Sequence, residues 1–127
     1  MQKNGENTEN LLEAHEVIVN KNGTTSLRHI ASGEVMHSSI GPREEATLLY
    51  VEQSKLFERL VDPNKTEPLI LFDVGLGAAT NALAALQCHR TAKIQNSKPR
   101  FLELVSFEKD ISGLALAFAN YERFPFF

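Results

Sequence analysis

The chain has 127 residues, 43% of them hydrophobic and 23% charged, which is the size and balance of one ordinary globular domain. Its formal net charge is −3, so it lacks the basic footprint of a surface that wraps nucleic acid unaided. One cysteine, Cys88, rules out a disulfide framework within the chain and fits a reducing, cytoplasmic setting.

The first residues, "MQKNGENTENLLEAHE", are polar and acidic, with no basic region followed by an apolar stretch. They are not a secretory signal, and residues 1–15 are expected to be frayed. No run reaches the roughly 18 apolar residues of a membrane span. Asn22-Gly23 in "NKNGTTS" is a hairpin signal because both residue types tolerate positive φ, so Glu16–Asn20 and Thr25–His29 are read as paired strands. In "HSSIGPREEATLLYVEQSKLFERLV", Ser39 or Gly41 can cap and Pro42 suits the first helical position. Glu44 and Glu45 then sit where the helix dipole favours acids. Leu49, Leu56 and Leu60 share one face at helical spacing, which predicts a single helix over Pro42–Val61.

Leu69–Val74 is a continuous apolar run between Pro68 and Gly75, the pattern of a strand buried on both faces. "ATNALAALQCHR" then reads as a helix ending near Cys88-His89, and His89–Arg100 as a polar connector. Phe101–Glu108 reads as a second strand, followed by a helix starting near Asp110 or Ser112. This βαβα order predicts a parallel sheet. The expected fold is α/β: an incomplete Rossmann-like parallel sheet with an N-terminal hairpin and helix. Two parallel strands are fewer than a doubly wound domain needs, so residues 16–127 are expected to be the N-terminal part of a larger domain. Phe124, Phe126 and Phe127 are expected to face its core.

Ligands of open parallel sheets bind beyond the carboxyl ends of the strands. Here those ends carry Asp73-Val-Gly75-Leu-Gly77-Ala-Ala-Thr80 and Ser106-Phe-Glu108. Gly75 and Gly77 allow a sharp turn and a close backbone approach. Glu108, an acceptor-only group, suits the two vicinal hydroxyls of a ribose. Gly-x-Gly alone is a weak signal; between a strand and a helix, with an acid ending the next strand, it is a stronger one. The third glycine of the dinucleotide fingerprint is absent, with Ala79 near its place. Asp73 ahead of the loop would repel a pyrophosphate but suits the ammonium of an amino-acid moiety. That points away from NAD and toward S-adenosylmethionine. The plainer readings are that Asp73 caps the next helix and that Glu108 pairs with Lys109 or another surface lysine. His29 and His37 have no metal-like spacing with Cys88 or His89, and Cys88 has no evident activating base.

"LILFDVGLGAATNALAAL" and "LELVSFEKD" resemble the first motif and acidic partner of class I methyltransferases. More narrowly, the chain from Val17 onward resembles the methyltransferase component of the bifunctional enzyme that completes 5-methylaminomethyl-2-thiouridine in tRNA. Asn81, "SFEK" (Ser106–Lys109) and "HSSIGPREEATLLYVEQ" carry that likeness. The resemblance implies an S-adenosylmethionine site made by Asp73, Gly75, Gly77, Asn81, Glu108 and Lys109, with tRNA as substrate. It also implies that the helix start at Glu44 lies near the methionine end of the cofactor. The residue that acts on the methyl acceptor, and the basic surface for tRNA, are expected beyond Phe127. Two other readings stay open: a different nucleotide-binding α/β enzyme, such as an oxidoreductase, and a non-catalytic fragment that associates through its open sheet, as a homo-oligomer or with another chain.

Overall fold

The apolar run Leu69–Val74 forms a strand, β3, that pairs in parallel with Leu102–Phe107, β4, in the register Leu69 to Leu102 through Val74 to Phe107. They belong to a computed structural model that describes residues 14–36, 41–95 and 98–124. Ahead of them, β1 (His15–Val19) and β2 (Thr25–His29) form an antiparallel hairpin. The first turn of helix is α1 (Pro42–Glu45), followed by a π-helical segment (Ala46–Glu52) and by α2 (Leu56–Leu60). The long helix α3 (Thr80–Gln95) connects β3 to β4, and α4 (Ser112–Ala119) follows β4. A 3-10 turn, Tyr121–Arg123, follows α4. The architecture is mixed α/β and Rossmann-like, as the βαβα order predicts.

The hairpin lies within one residue of its expected bounds, though its turn works differently. Gly23 takes φ +83° but Asn22 does not take positive φ. Asn22 instead bonds through its side-chain oxygen to the Thr24 N–H and hydroxyl, an Asx-type closure of a longer loop. After β2 the chain turns back, and Val35 bridges Arg28 while the Met36 N–H bonds to the Leu27 carbonyl.

The single helix predicted over Pro42–Val61 is not continuous. The Gln53 N–H reaches the Leu48 carbonyl, five residues back, and Lys55 takes φ +54°, which ends the turn. The Ser54 hydroxyl donates to the Tyr50 and Val51 carbonyls at 2.6 and 3.2 Å. That competition for main-chain acceptors disfavours a regular helix. The extra residue rotates the apolar stripe: Leu56 and Leu60 reach the core, and Leu49 is left partly exposed.

The helix α3 runs past His89 to Gln95, so most of the expected polar connector is helical. The cause is tertiary. Ala92 is fully buried against Leu56, Leu60, Ala85, Cys88 and Leu102, and that burial outweighs the polar local sequence. Cys88 and His89 therefore sit in mid-helix rather than at its end.

A second cluster joins Leu27, Ala78, Ala117 and Phe124, with Val17, Met36 and Leu116 against it. It fastens the hairpin to the loop after β3 and to α4. Phe124 faces this core as expected; Phe126 and Phe127, like His37 and Ser39, lie outside the described residues.

Among the described residues β3 is covered on one face only: its apolar run is the pattern of a strand buried on both, and a sheet with just two parallel strands leaves one face without a cover. Leu69 and Leu71, with Leu104 beside them, pack on the first core cluster. Ile70, Phe72, Val74 and Phe107 point the other way and are exposed, Phe72 at 66% and Val74 at 82%. Alternation sends successive side chains to opposite faces, and the described residues supply helices to just one of them. His15, assigned to a frayed N-terminus, opens β1 and is buried; the rest of that segment before Ala14 lies outside the described residues.

Candidate functional site at the ends of the parallel strands

The turn after β3 is built from residues that can leave ordinary backbone space. Gly75 takes φ +82° and Gly77 φ +53°. A Cβ on Gly75 would meet nothing within 4 Å, whereas one on Gly77 would meet the Met36 sulfur at 3.0 Å. Gly75 thus faces open space, and Gly77 is pressed against the hairpin. Ala79 takes φ +61° at the entry to α3, where the fingerprint's third glycine would be free of strain.

The two strand ends are tied together across this loop. Gly77 donates its N–H to Glu108 Oε2 at 3.0 Å, and Asp110 donates its N–H to Oε1 at 3.1 Å. The Gly77 N–H is the largest influence holding the Glu108 carboxyl below the ordinary carboxylate range. The Asp110 and Lys109 N–H groups act in the same sense, against partial burial and the Asp110 charge. Each oxygen of Glu108 keeps a second lone pair, so a diol can still be accepted. Neither an ion pair to Lys109 nor one to another lysine is formed by Glu108 among the described residues. Lys109 lines the same cavity as Glu108.

Asp73 is 8% exposed and accepts a hydrogen bond from the Ser106 hydroxyl at 3.0 Å, its register partner on β4. It links the strands and does not cap α3. Asn81, in the first turn of α3, keeps its Oδ1 buried with no donor among the described residues. A buried acceptor without a partner is costly, and this one lines a cavity of about 370 Å³ together with Asp73, Val74, Phe72, Tyr50 and Leu49. The π-helical segment supplies Tyr50 and Leu49 to that wall.

A second cavity, about 320 Å³, lies on the Glu108 side of the loop and takes in His15, His29, Ser32, Glu34, Met36, Lys109 and Asp110. His15 is buried, with Nδ1 2.8 Å from the Ser112 hydroxyl, and its ring lies 5.1 Å from that of His29. Asp110 accepts the Ser112 N–H at 2.9 Å. That bond leads the causes that hold its carboxyl low, followed by the Ser112 hydroxyl and the nearby His15 and His29 rings. These hairpin residues were not legible as site residues; only the packing of β1 and β2 against the loop brings them there.

The predicted site residues therefore gather in two groups around one loop: Asp73 and Asn81 on one side, Glu108 and Lys109 on the other, with Gly75 and Gly77 between. Glu44 lines a different cavity, with Thr24 and Glu122. No group of histidine, cysteine or acidic side chains suited to a metal ion occurs among the described residues. No helix among them is long and apolar enough to cross a membrane. Cys88 is buried, and burial, with the Glu58 charge adding to it, pushes its thiol up.

No family model matches the sequence, and no curated protein matches it. Solved structures do. The crystal structure of MNMC2 from Aquifex aeolicus superposes with a TM-score of 0.56 at 22% identity, covering 98% of this chain and 46% of that chain. The chain thus spans less than half the length of that neighbour. The resemblance read from the Gly-x-Gly and "SFEK" segments has its counterpart in a shared fold with MNMC2 along nearly the whole of this chain.

Proposed function

We propose that residues 16–127 form the cofactor-binding part of an S-adenosylmethionine-dependent methyltransferase that acts in tRNA wobble-uridine modification. The observation that carries this reading is the strap from the Gly77 N–H to Glu108, with an acidic, partly unsatisfied cavity on the far side of the loop. An elongated ligand with an amino acid at one end and a nucleoside at the other matches that layout. The residues fit the group. Gly75 faces open space, so a ligand can approach its backbone without a Cβ in the way, and the orphaned Asn81 Oδ1 is a waiting acceptor.

In this reading Asp73 and Asn81 accept hydrogen bonds from the ammonium end, and Glu108 takes the ribose hydroxyls. Lys109 borders the nucleoside. When bound, the cofactor supplies an electrophilic sulfonium methyl group. The chain's own task is then to orient it and keep water away. The likeness of "SFEK" and "GPREEA" to the tRNA-modifying family, together with the fold shared with MNMC2, supports tRNA as the substrate. The acidic balance of this chain leaves the binding of tRNA to other parts of a longer protein.

Calorimetric titration tests the cofactor. In the complete protein S-adenosylhomocysteine should bind and NAD should not, while this chain alone is expected to bind weakly and to have no turnover. Binding of NAD alone would overturn the reading in favour of a dinucleotide enzyme. A non-catalytic association role draws on one observation, the exposed apolar face of β3 and β4.

A further inference from the structure

We infer that His29, braced by His15, is a specificity-determining residue that reads the base of a nucleoside held in the cavity between the hairpin and the end of β4. The inference rests on the cofactor reading above and names a contributor that the strand-end motifs do not contain. The cavity, about 320 Å³, has the volume of a small-molecule site, whose usual span is roughly 300–1,000 Å³. One wall is Glu108, the acceptor for a diol. Another is His29 on β2.

His29 is held in one orientation by Ser32. The Ser32 N–H donates to its Nδ1 at 3.3 Å, and the Ser32 hydroxyl lies 2.8 Å from the same atom. By that hydrogen-bond pattern Nδ1 is the acceptor, so the neutral ring carries its proton on Nε2. The ring is packed 5.1 Å from that of His15, and His15 is itself pinned to Ser112. A rigid flat ring with one N–H donor is suited to a heteroaromatic base that offers ring-nitrogen acceptors. The charge of the cavity sets the ligand class further. Among the described residues Glu34, Glu108 and Asp110 line the cavity with Lys109, a balance that repels phosphates and favours an uncharged nucleoside.

The test compares two probes on the complete protein by calorimetry: S-adenosylhomocysteine, and S-ribosylhomocysteine, which lacks the base. The ratio of their affinities reports base recognition. His29→Asn keeps an acceptor for the Ser32 N–H but removes the ring and the Nε2 donor. It should cut S-adenosylhomocysteine affinity roughly tenfold and leave S-ribosylhomocysteine unchanged. Should that variant fail to fold, His29→Phe keeps the ring packed on His15 without the donor and carries the same expectation. An unchanged ratio would show that His29 only latches its turn. Equal losses for both probes would make its role structural and overturn the inference. A wild-type protein that binds S-adenosylhomocysteine no better than S-ribosylhomocysteine would overturn base reading alone. One that binds neither would overturn the cofactor reading itself.

Discussion

Removing the Glu108 carboxylate should loosen the chain before any ligand is added. Glu108→Ala leaves the Gly77 and Asp110 N–H groups without their acceptor. A hydrogen bond to a charged group contributes about 1.5–3 kcal/mol. Both donors are only partly buried, so water replaces much of what is lost, and the pair together should be worth about 2 kcal/mol rather than the sum. For a domain of this length that corresponds to a fall in Tm of roughly 5–10 °C. Glu108→Gln keeps one acceptor without the charge and should lose about half as much. Urea unfolding followed by circular dichroism reads both variants. The pH dependence gives an independent check. Folding holds the Glu108 carboxyl low, so its contribution is complete above the unfolded pKa, about 4.3, and is lost as pH falls through the lower folded pKa. Asp110 and Glu67 are lowered too, so the wild-type chain should weaken in acid and Glu108→Gln should weaken less. A Glu108→Ala variant within about 0.5 kcal/mol of wild type would mean that the strap between the strand ends carries no weight. Its affinity for S-adenosylhomocysteine should also fall at least roughly tenfold; an unchanged dissociation constant would make Glu108 a surface acid only.

The loop should respond with opposite signs at two positions. Gly75→Ala, at φ +82°, should destabilise by about 1 kcal/mol, while Ala79→Gly, at φ +61°, should be neutral or stabilising by up to about 1 kcal/mol in the same unfolding assay. The Arg100 side chain donates to the carbonyls of Glu67, Arg59 and Pro68; Arg100→Ala should cost about 2–3 kcal/mol, measured as a lower urea midpoint. Cys88, buried and with its thiol pushed up, should resist alkylation at neutral pH until denaturant unfolds the chain, and mass spectrometry showing rapid labelling of the native protein would contradict its packing. The exposed Ile70, Phe72, Val74 and Phe107 should drive concentration-dependent association in light scattering, which Phe72→Glu with Val74→Lys should abolish; a wild-type chain that stays monomeric at high concentration would show that this face is not a contact surface.

Local sequence determined the elements whose signals are short-range. Asn22-Gly23 marks the hairpin turn, the apolar runs at Leu69 and Leu102 mark the parallel strands, and Gly75 and Gly77 mark a turn at a strand end. The acids Asp73 and Glu108 were legible as strand-end residues because a strand's direction and the following helix place them there. What each touches was not legible, since Ser106 and Gly77 lie more than 30 residues away from their partners. The break in the helix after Pro42 was hidden as well. Leu49, Leu56 and Leu60 fit one stripe on paper, and only the competition of Ser54 for carbonyls and the burial of Leu56 and Leu60 decide for a π-helical turn. The length of α3 was set by Ala92 in the core, against a polar local sequence. A continuous apolar strand likewise states that burial is possible, and the placement of helices decides which face receives it. The hairpin histidines join the site for the same reason: Leu27, Met36 and Ala117 pack together, and that contact between distant segments carries His15 and His29 to the end of β4.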